Sequence, residues 1–494
     1  MQKSRVKRVG ALLVGLSLVA AACGGDDDDE PVADSTPEET AEETATETTE
    51  ATAEESAPET TEATEETAEE TAPETTEARE ETAEETATET TEATGEDMAG
   101  ETVEAAPTCT GESDGVLRIA TVLPETGSLA FLGPPEFAGA EAAVQDINAA
   151  GGVLGADVEL DQGDSGDTST DIANQTVDRQ LAAGADAFIG AASSGVSFTF
   201  IDKLVENCKI HFSPANTSPD FTTYEEDDLY FRTAPSDILQ GRVLSDLMIA
   251  EGVTTASFMA LQDPYGEGLL KYSTEPFADQ GGEIVDSFTY DPQAPEFSAE
   301  VDRVVSGDPE ALVLIGFEES AKILTGLFEA GFSPEAGKRI YLVDGNVGNA
   351  LGEQLPVGSM EGIRGTLPAA EASADFQARL LEVDPELIDF SYGPETYDAV
   401  VITALAAAIA GTDDPAMVAA HINGVTRDGE KCTTFEECIA LVDAGTDIDY
   451  DGPSGPQSFG PEGEPTEASF IIFTYDANNR VDGDAAPEYR FAAI

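Results

Sequence analysis

The chain has 494 residues, 100 of them acidic and 22 basic, for a formal net charge of −78. So acidic a surface repels nucleic acid and anionic lipid, which excludes both as charge-matched partners, and it favours solubility. No Walker A loop, dinucleotide glycine fingerprint or G-x-S-x-G elbow occurs, so neither a cofactor nor catalysis is expected.

Lys3, Arg5, Lys7 and Arg8 precede an apolar run from Val9 to Ala22 that is too short to span a bilayer stably and reads as a signal peptide over residues 1–22. Leu18-Val-Ala-Ala-Ala-Cys23 resembles a bacterial lipobox, which implies cleavage before Cys23 and a lipid on its thiol. An ordinary secretory cleavage beside an incidental cysteine is the alternative. Residues 23–114 are built almost wholly from Glu, Thr and Ala, with the unit AEETATETTEAT at 41 repeated in degenerate form at 53, 68 and 83. Without aromatic residues and with dense like charge, this segment cannot form a core and is expected to be a disordered tether with a reach of about 50 Å.

From Gly115 onward the pattern alternates. Leu117–Leu123 is a buried-type strand, followed by a helix from Pro135 to Ala149, a strand at 158–160, a helix from Thr170 to Ala183 and a strand at 187–189. After Pro235 the rhythm repeats with helices at 239–251, 268–280 and 297–306 and strands at 255–260, 283–288 and 311–315. This predicts a doubly wound α/β architecture with a second unit.

Two stretches run from a short apolar strand into small hydroxyl-bearing residues, Ala187-Phe-Ile-Gly-Ala-Ala-Ser-Ser-Gly-Val-Ser197 and Lys209-Ile-His-Phe-Ser-Pro-Ala-Asn-Thr-Ser-Pro219. In an open parallel sheet these are carboxyl-edge positions, where ligands bind. Helical spacing over 195–207, with Ser197 as its cap, offers N–H groups to a carboxylate. Pro214 ends the other strand, leaving the Ala215 carbonyl and Thr217 hydroxyl to accept from an ammonium group. Together they fit a zwitterion, although turns use such residues anyway.

Beyond Cys23, the residues Cys109, Cys208, Cys432 and Cys438 form an even set that suggests disulfides in an exported protein, with three connectivities open. Cys432 and Cys438 make the natural local loop; Cys109 with Cys208 would then staple the domain entrance. Zinc has no support, because neither pair is tightly spaced and His211 and His421 complete no pattern. Asp447-Ile-Asp-Tyr-Asp-Gly452 copies the opening of a calcium loop, but Ser458 stands at its twelfth position and Pro453 follows the glycine, so no metal is expected.

Glu136-Phe-Ala-Gly-Ala-Glu-Ala-Ala-Val-Gln-Asp-Ile-Asn-Ala-Ala-Gly-Gly-Val153, Ser213-Pro-Ala-Asn-Thr-Ser-Pro219, Asp263-Pro-Tyr-Gly-Glu-Gly268, Asp344-Gly345 and Gly452-Pro-Ser-Gly-Pro-Gln-Ser-Phe459 occur in the order found in the leucine/isoleucine/valine-binding family of periplasmic binding proteins, which nearly everything after residue 115 resembles. The resemblance implies two doubly wound lobes, 115–235 plus 366–450 and 236–365 plus 451–494, joined by three crossovers and closing on a ligand. It puts the ligand carboxylate on Ser194, with Ser193 as the alternative register, and the ammonium group on Ala215, Thr217 and Asp344, with Gly345 or Asn346 as register alternatives at the last. Tyr265 matches an aromatic wall. Leu132 and Phe317 stand where tyrosines are common, which makes the pocket more apolar. The implied function is that of a monomeric, lipid-anchored ABC substrate-binding protein that hands a branched-chain or similar amino acid to a permease. A sensory receptor of the same fold and a binder of an amide, urea or organic acid are the alternatives.

Overall fold

The computed structural model describes residues 107–368, 372–481 and 488–493. The signal segment, Cys23 and the tether as far as residue 106 lie outside the described residues. The first sheet consists of β1 (Arg118–Val122), β2 (Glu159–Asp161), β3 (Ala187–Gly190), β4 (Ile210–Ser213) and β5 (Tyr230–Arg232), all parallel, in the order β2-β1-β3-β4-β5. Next come β6 (Thr255–Leu261), β7 (Glu283–Tyr290), β8 (Ala311–Ile315), β9 (Arg339–Leu342) and β10 (Arg364–Pro368) of a second sheet. A small third sheet contains β11 (Glu430–Cys432), β12 (Ile448–Gly452) and β13 (Gly455–Pro456). The last strands, β14 (Glu467–Thr474) and β15 (Glu488–Ala493), rejoin the second sheet, whose order is β15-β14-β10-β9-β8-β6-β7. Only β14 is reversed in it, pairing antiparallel with both β10 and β15.

β3 and β8 are buried at every residue, as apolar runs without polar alternation should be when helices cover both faces. The order of the first sheet reverses between β1 and β3, and that of the second between β6 and β8, so each lobe has a crevice at its strands' carboxyl ends. The chain passes between the sheets after β5, after β10 and after β13. β10 carries the second sheet to Pro368, three residues past the expected end of that segment at 365.

The helix Gly393–Ala410, buried from Gly393 to Ala407, packs on the helix Gly133–Ala149 and against β3 and β4, which brings the later segment back to the first lobe. Gly139 permits that approach: a Cβ there would lie 2.3 Å from the Gly393 carbonyl oxygen. Both helices therefore begin at the cleft, with Leu132 and Tyr392 as their first flanking residues. Disulfides join Cys109 to Cys208 and Cys432 to Cys438. In the acidic turn after Asp447, Lys431 Nζ lies 2.9 Å from both Asp449 and Asp451.

Candidate ligand-binding site

In the first lobe, β3 runs into Ala191 and Ala192 and then into a single turn, Ser194–Ser197, capped by the Ser193 hydroxyl, which accepts from the Val196 amide at 3.4 Å. The expected helix over 195–207 is not continuous. It breaks at Phe198–Phe200 because Phe200 is drawn into the apolar core and Phe198 stacks on Phe221 at 4.0 Å, and a second short helix follows at Ile201–Glu206. The cap is Ser193 rather than Ser197, whose hydroxyl instead accepts from the Ala191 amide at 3.0 Å. A one-turn helix has little dipole, so anion binding here has to rest on local hydroxyl and N–H groups.

β4 ends before Pro214, and Ser213 Oγ then accepts from the Ala215 and Asn216 amides at 3.2 and 2.9 Å. Asn216 ties this loop back to the first one by donating to the Ala191 and Ala192 carbonyls at 2.9 and 3.0 Å, and Ser194 Oγ accepts from the Ser218 amide at 3.3 Å. The fully buried Arg232 holds the loop from beneath, donating to the carbonyls of Asn216 and Ser218 while pairing with Glu464. Ser193, Ser194, Ala215 and Thr217 are thus fixed as one buried surface.

The second lobe presents Asp344 from a turn after β9. Asn346 closes that turn, accepting from the Val343 amide at 2.9 Å and donating to the Leu314 carbonyl and Ser320 Oγ, so its side chain is spent on structure. Asp344 Oδ1 accepts from Tyr265 Oη at 2.8 Å and from Gln240 Nε2 at 2.9 Å, and Oδ2 accepts from Tyr392 Oη at 2.8 Å. Phe317 stacks on Tyr265 with ring centroids 5.5 Å apart and planes 9° from parallel. Leu132, Ala192 and Ala215 from the first lobe belong to the same buried apolar cluster as Tyr265, Phe317 and Tyr392. Leu132, Ala215, Tyr265, Phe317 and Asp344 are thus brought together where the lobes meet, Thr217 joins them through Asp237, and Ser193 and Ser194 lie on the adjoining loop of the first lobe.

Three further residues lie at the centre of this interlobe cleft. Asp237 opens the helix Asp237–Ala250; its amide donates to the Thr217 carbonyl at 2.8 Å, and its Oδ2 accepts from Thr217 Oγ1 at 3.1 Å. Gln240 stands one turn on, on the same helix face. Asp237 Oδ1 and Gln240 Oε1 are buried without a hydrogen-bond partner among the described residues. The third is Tyr392, held at φ 61°. The cap Ser236 with Asp237 and Gln240 at i, i+3 was a readable helix start, but the expected helix began at Leu239; nothing in the sequence around Tyr392 signals its reach. Burial holds the Asp344 carboxyl above its usual range and pushes Asp237 well up, the charge of Asp344 adding to the shift in Asp237. The cleft thus combines two buried acids, an apolar wall and a hydroxyl-lined floor. His211 takes no part: it is buried against the Gly190 carbonyl and pushed down to about 3 by burial, so it is neutral.

Residues 116–479 match the periplasmic binding protein family, and the chain belongs to it, in the branch that includes the leucine/isoleucine/valine-binding proteins. A substrate-binding protein of a chemotactic signal transduction system, BasB of Halobacterium salinarum, is 26% identical over 378 residues, spanning 73% of this chain and 87% of its own length. The branched-chain amino acid transporter substrate-binding protein LivJ of Streptococcus pneumoniae, solved with isoleucine, superposes with a TM-score of 0.63 at 23% identity, covering 76% of this chain and 100% of that one. An ABC-transporter solute-binding protein of R. palustris, solved with benzoate, superposes with a TM-score of 0.60 at 19% identity over 77% of this chain and 98% of that one. The fold is that of the type I periplasmic binding proteins, a family that works outside the cytoplasm.

Proposed function

We propose that this chain is a solute-binding protein, anchored by a lipid on Cys23, which captures a branched-chain or similar amino acid between its lobes and delivers it to the permease of an ABC importer. The observation that carries the reading is the pair of buried acids. Asp237 Oδ1 and Gln240 Oε1 have no partner among the described residues, Asp344 receives only neutral donors, and the nearby buried cation, Arg232, is committed to Glu464. A ligand ammonium group supplies the missing charge and N–H donors. Its carboxylate would face Ser193 and Ser194, and an apolar side chain would lie along Leu132 and Phe317, beside a cavity of about 90 Å³ between Phe131 and Leu351.

Binding in such a cleft is a population shift, because only the closed form lets one ligand touch both lobes. Thermal-shift screening of the purified protein against amino acids, amides, urea and aromatic or aliphatic acids tests the reading. Amino acids should raise the unfolding temperature, whereas stabilisation by acids lacking an amine, and not by amino acids, would overturn it. The relatedness to BasB supports a second reading, in which closure is passed to a signalling partner rather than a permease; co-purification with a permease separates the two. For the anchor, Cys23→Ser should abolish lipid labelling, and undiminished labelling would contradict it.

A further inference from the structure

A cavity of mixed polar and apolar lining lies at the hinge, apart from the cleft. It measures about 110 Å³ and is lined by residues of all three passages between the lobes: Thr233 and Pro235 from the first, Pro368 where the second leaves β10, and Gln457 and Pro465 from the third. Glu395 lines it from the start of the helix Gly393–Ala410. Glu395 and Gln457 are each 3% exposed, yet Glu395 Oε2 and Gln457 Oε1 have no hydrogen-bond partner among the described residues. Gln457 is oriented by its own amide, which donates to Ser454 Oγ at 2.6 Å, so its oxygen is left as an acceptor. A second carboxylate, Glu467, also lines the cavity, and no basic side chain does so among the described residues. Phe491, 65% exposed, adds an aromatic face.

Two unpartnered buried acceptors, acidic lining and an exposed aromatic ring are complementary to a small cation that carries both N–H donors and a short apolar stem. We infer that this hinge cavity is a binding site for a small primary ammonium ion, distinct from the amino-acid cleft. The size agrees: at about 30 Å³ per water-sized group, the cavity admits an ammonium head with two or three carbons. Charge-assisted hydrogen bonds to Glu395 and Gln457 would hold the head, and the Phe491 face would cover the stem. Burial pushes the Glu395 carboxyl up to about 8, and a cation seated against it would bring it down. Because the cavity is shared by all three passages, an occupant that binds the open and closed forms unequally must alter cleft affinity, and the cleft ligand must alter its affinity by the same factor.

The test is calorimetric titration of ethylammonium chloride into the full chain at constant ionic strength, for the parent and for Glu395→Gln, Phe491→Ala and the cleft variant Asp344→Asn. Saturable binding is expected in the parent and retained in Asp344→Asn to within about threefold, the margin that a weakened lobe latch allows, but weakened about tenfold in Glu395→Gln and more modestly in Phe491→Ala, a surface change that leaves the fold intact. Absence of saturable binding to the parent overturns the inference, because the cavity then holds water only. So does binding that Asp344→Asn abolishes and the hinge variants leave untouched, since the ion is then entering the cleft. Failure of the amino-acid reading would show instead as amino-acid binding indifferent to Asp344, whatever ethylammonium does.

Discussion

Tyr392 of the first lobe places its hydroxyl 2.8 Å from Asp344 Oδ2 of the second, closing the cleft with a hydrogen bond that depends on a tyrosine held at φ 61°. A non-glycine residue in that region is disfavoured by about 1 kcal/mol or more, so the bond is obtained against a local backbone preference. The acid that we assign to the ligand ammonium is thus also the acid that latches the lobes.

Tyr392→Phe keeps the ring and removes the latch. A hydrogen bond to a charged acceptor contributes about 1.5–3 kcal/mol, enough to move a closed population largely open. Small-angle scattering of the unliganded variant should give a larger radius of gyration than the parent, with the two converging at ligand saturation. Identical unliganded scattering would show that Tyr392 does not hold the lobes.

Thr217 donates to Asp237 Oδ2 at 3.1 Å while its carbonyl accepts from the Asp237 amide. Thr217→Val leaves the buried acid with one bond fewer, which should lower stability by about 1–3 kcal/mol and weaken ligand binding by a comparable amount. Thr217→Ser keeps the hydroxyl and should restore both. Calorimetric melting and titration of the three proteins check this pair of outcomes.

Arg232 is fully buried and joins Glu464 to the carbonyls under the ligand loop. Arg232→Leu strands Glu464 and two carbonyls, and should destabilise the fold by about 3–5 kcal/mol in chemical denaturation. A change below about 1 kcal/mol would mean that the loop stands without it.

Much of the architecture was legible because it follows from periodicity. β3 and β8 are unbroken apolar runs, and buried strands alternating with helices admit few topologies. The floor of the site was legible too, since Pro214 must end β4 and small hydroxyl residues follow it. What escaped depends on tertiary geometry. Phe200 falls inside the expected helix over 195–207, but burying it breaks that helix. Tyr392 carries no local sign of function, because its reach to Asp344 is set by the packing of Gly139 on Gly393, 254 residues further along the chain. Asp237 was hidden by a helix boundary placed two residues late, the least certain feature of any such reading.

Several buried carboxyls share one pH signature. Burial pushes Asp186 up to about 6, Glu226, Asp263 and Asp398 to about 7, and Glu395 to about 8, all above their ordinary values. Between pH 4 and 8 the folded state therefore holds more protons than the unfolded one, so stability is greatest near the lower end and is lost as pH rises through 6 to 8. The unfolding temperature should be higher at pH 5 than at pH 8, and Asp398→Asn should reduce that difference. A rise in unfolding temperature towards pH 8 would contradict this sign.

The assignment of the ligand ammonium to Asp344 is tested most directly by calorimetric titration of Asp344→Asn with the best amino acid from the thermal screen. The substitution keeps the shape and one acceptor but removes the charge, so a desolvated charge-assisted bond becomes a neutral one. Binding should weaken by about 2–4 kcal/mol, or roughly 30- to 1000-fold, while the unliganded protein melts at nearly its parent temperature. Parent-like affinity in Asp344→Asn would contradict the account: the ammonium would then be held elsewhere, or the natural ligand would carry no positive charge.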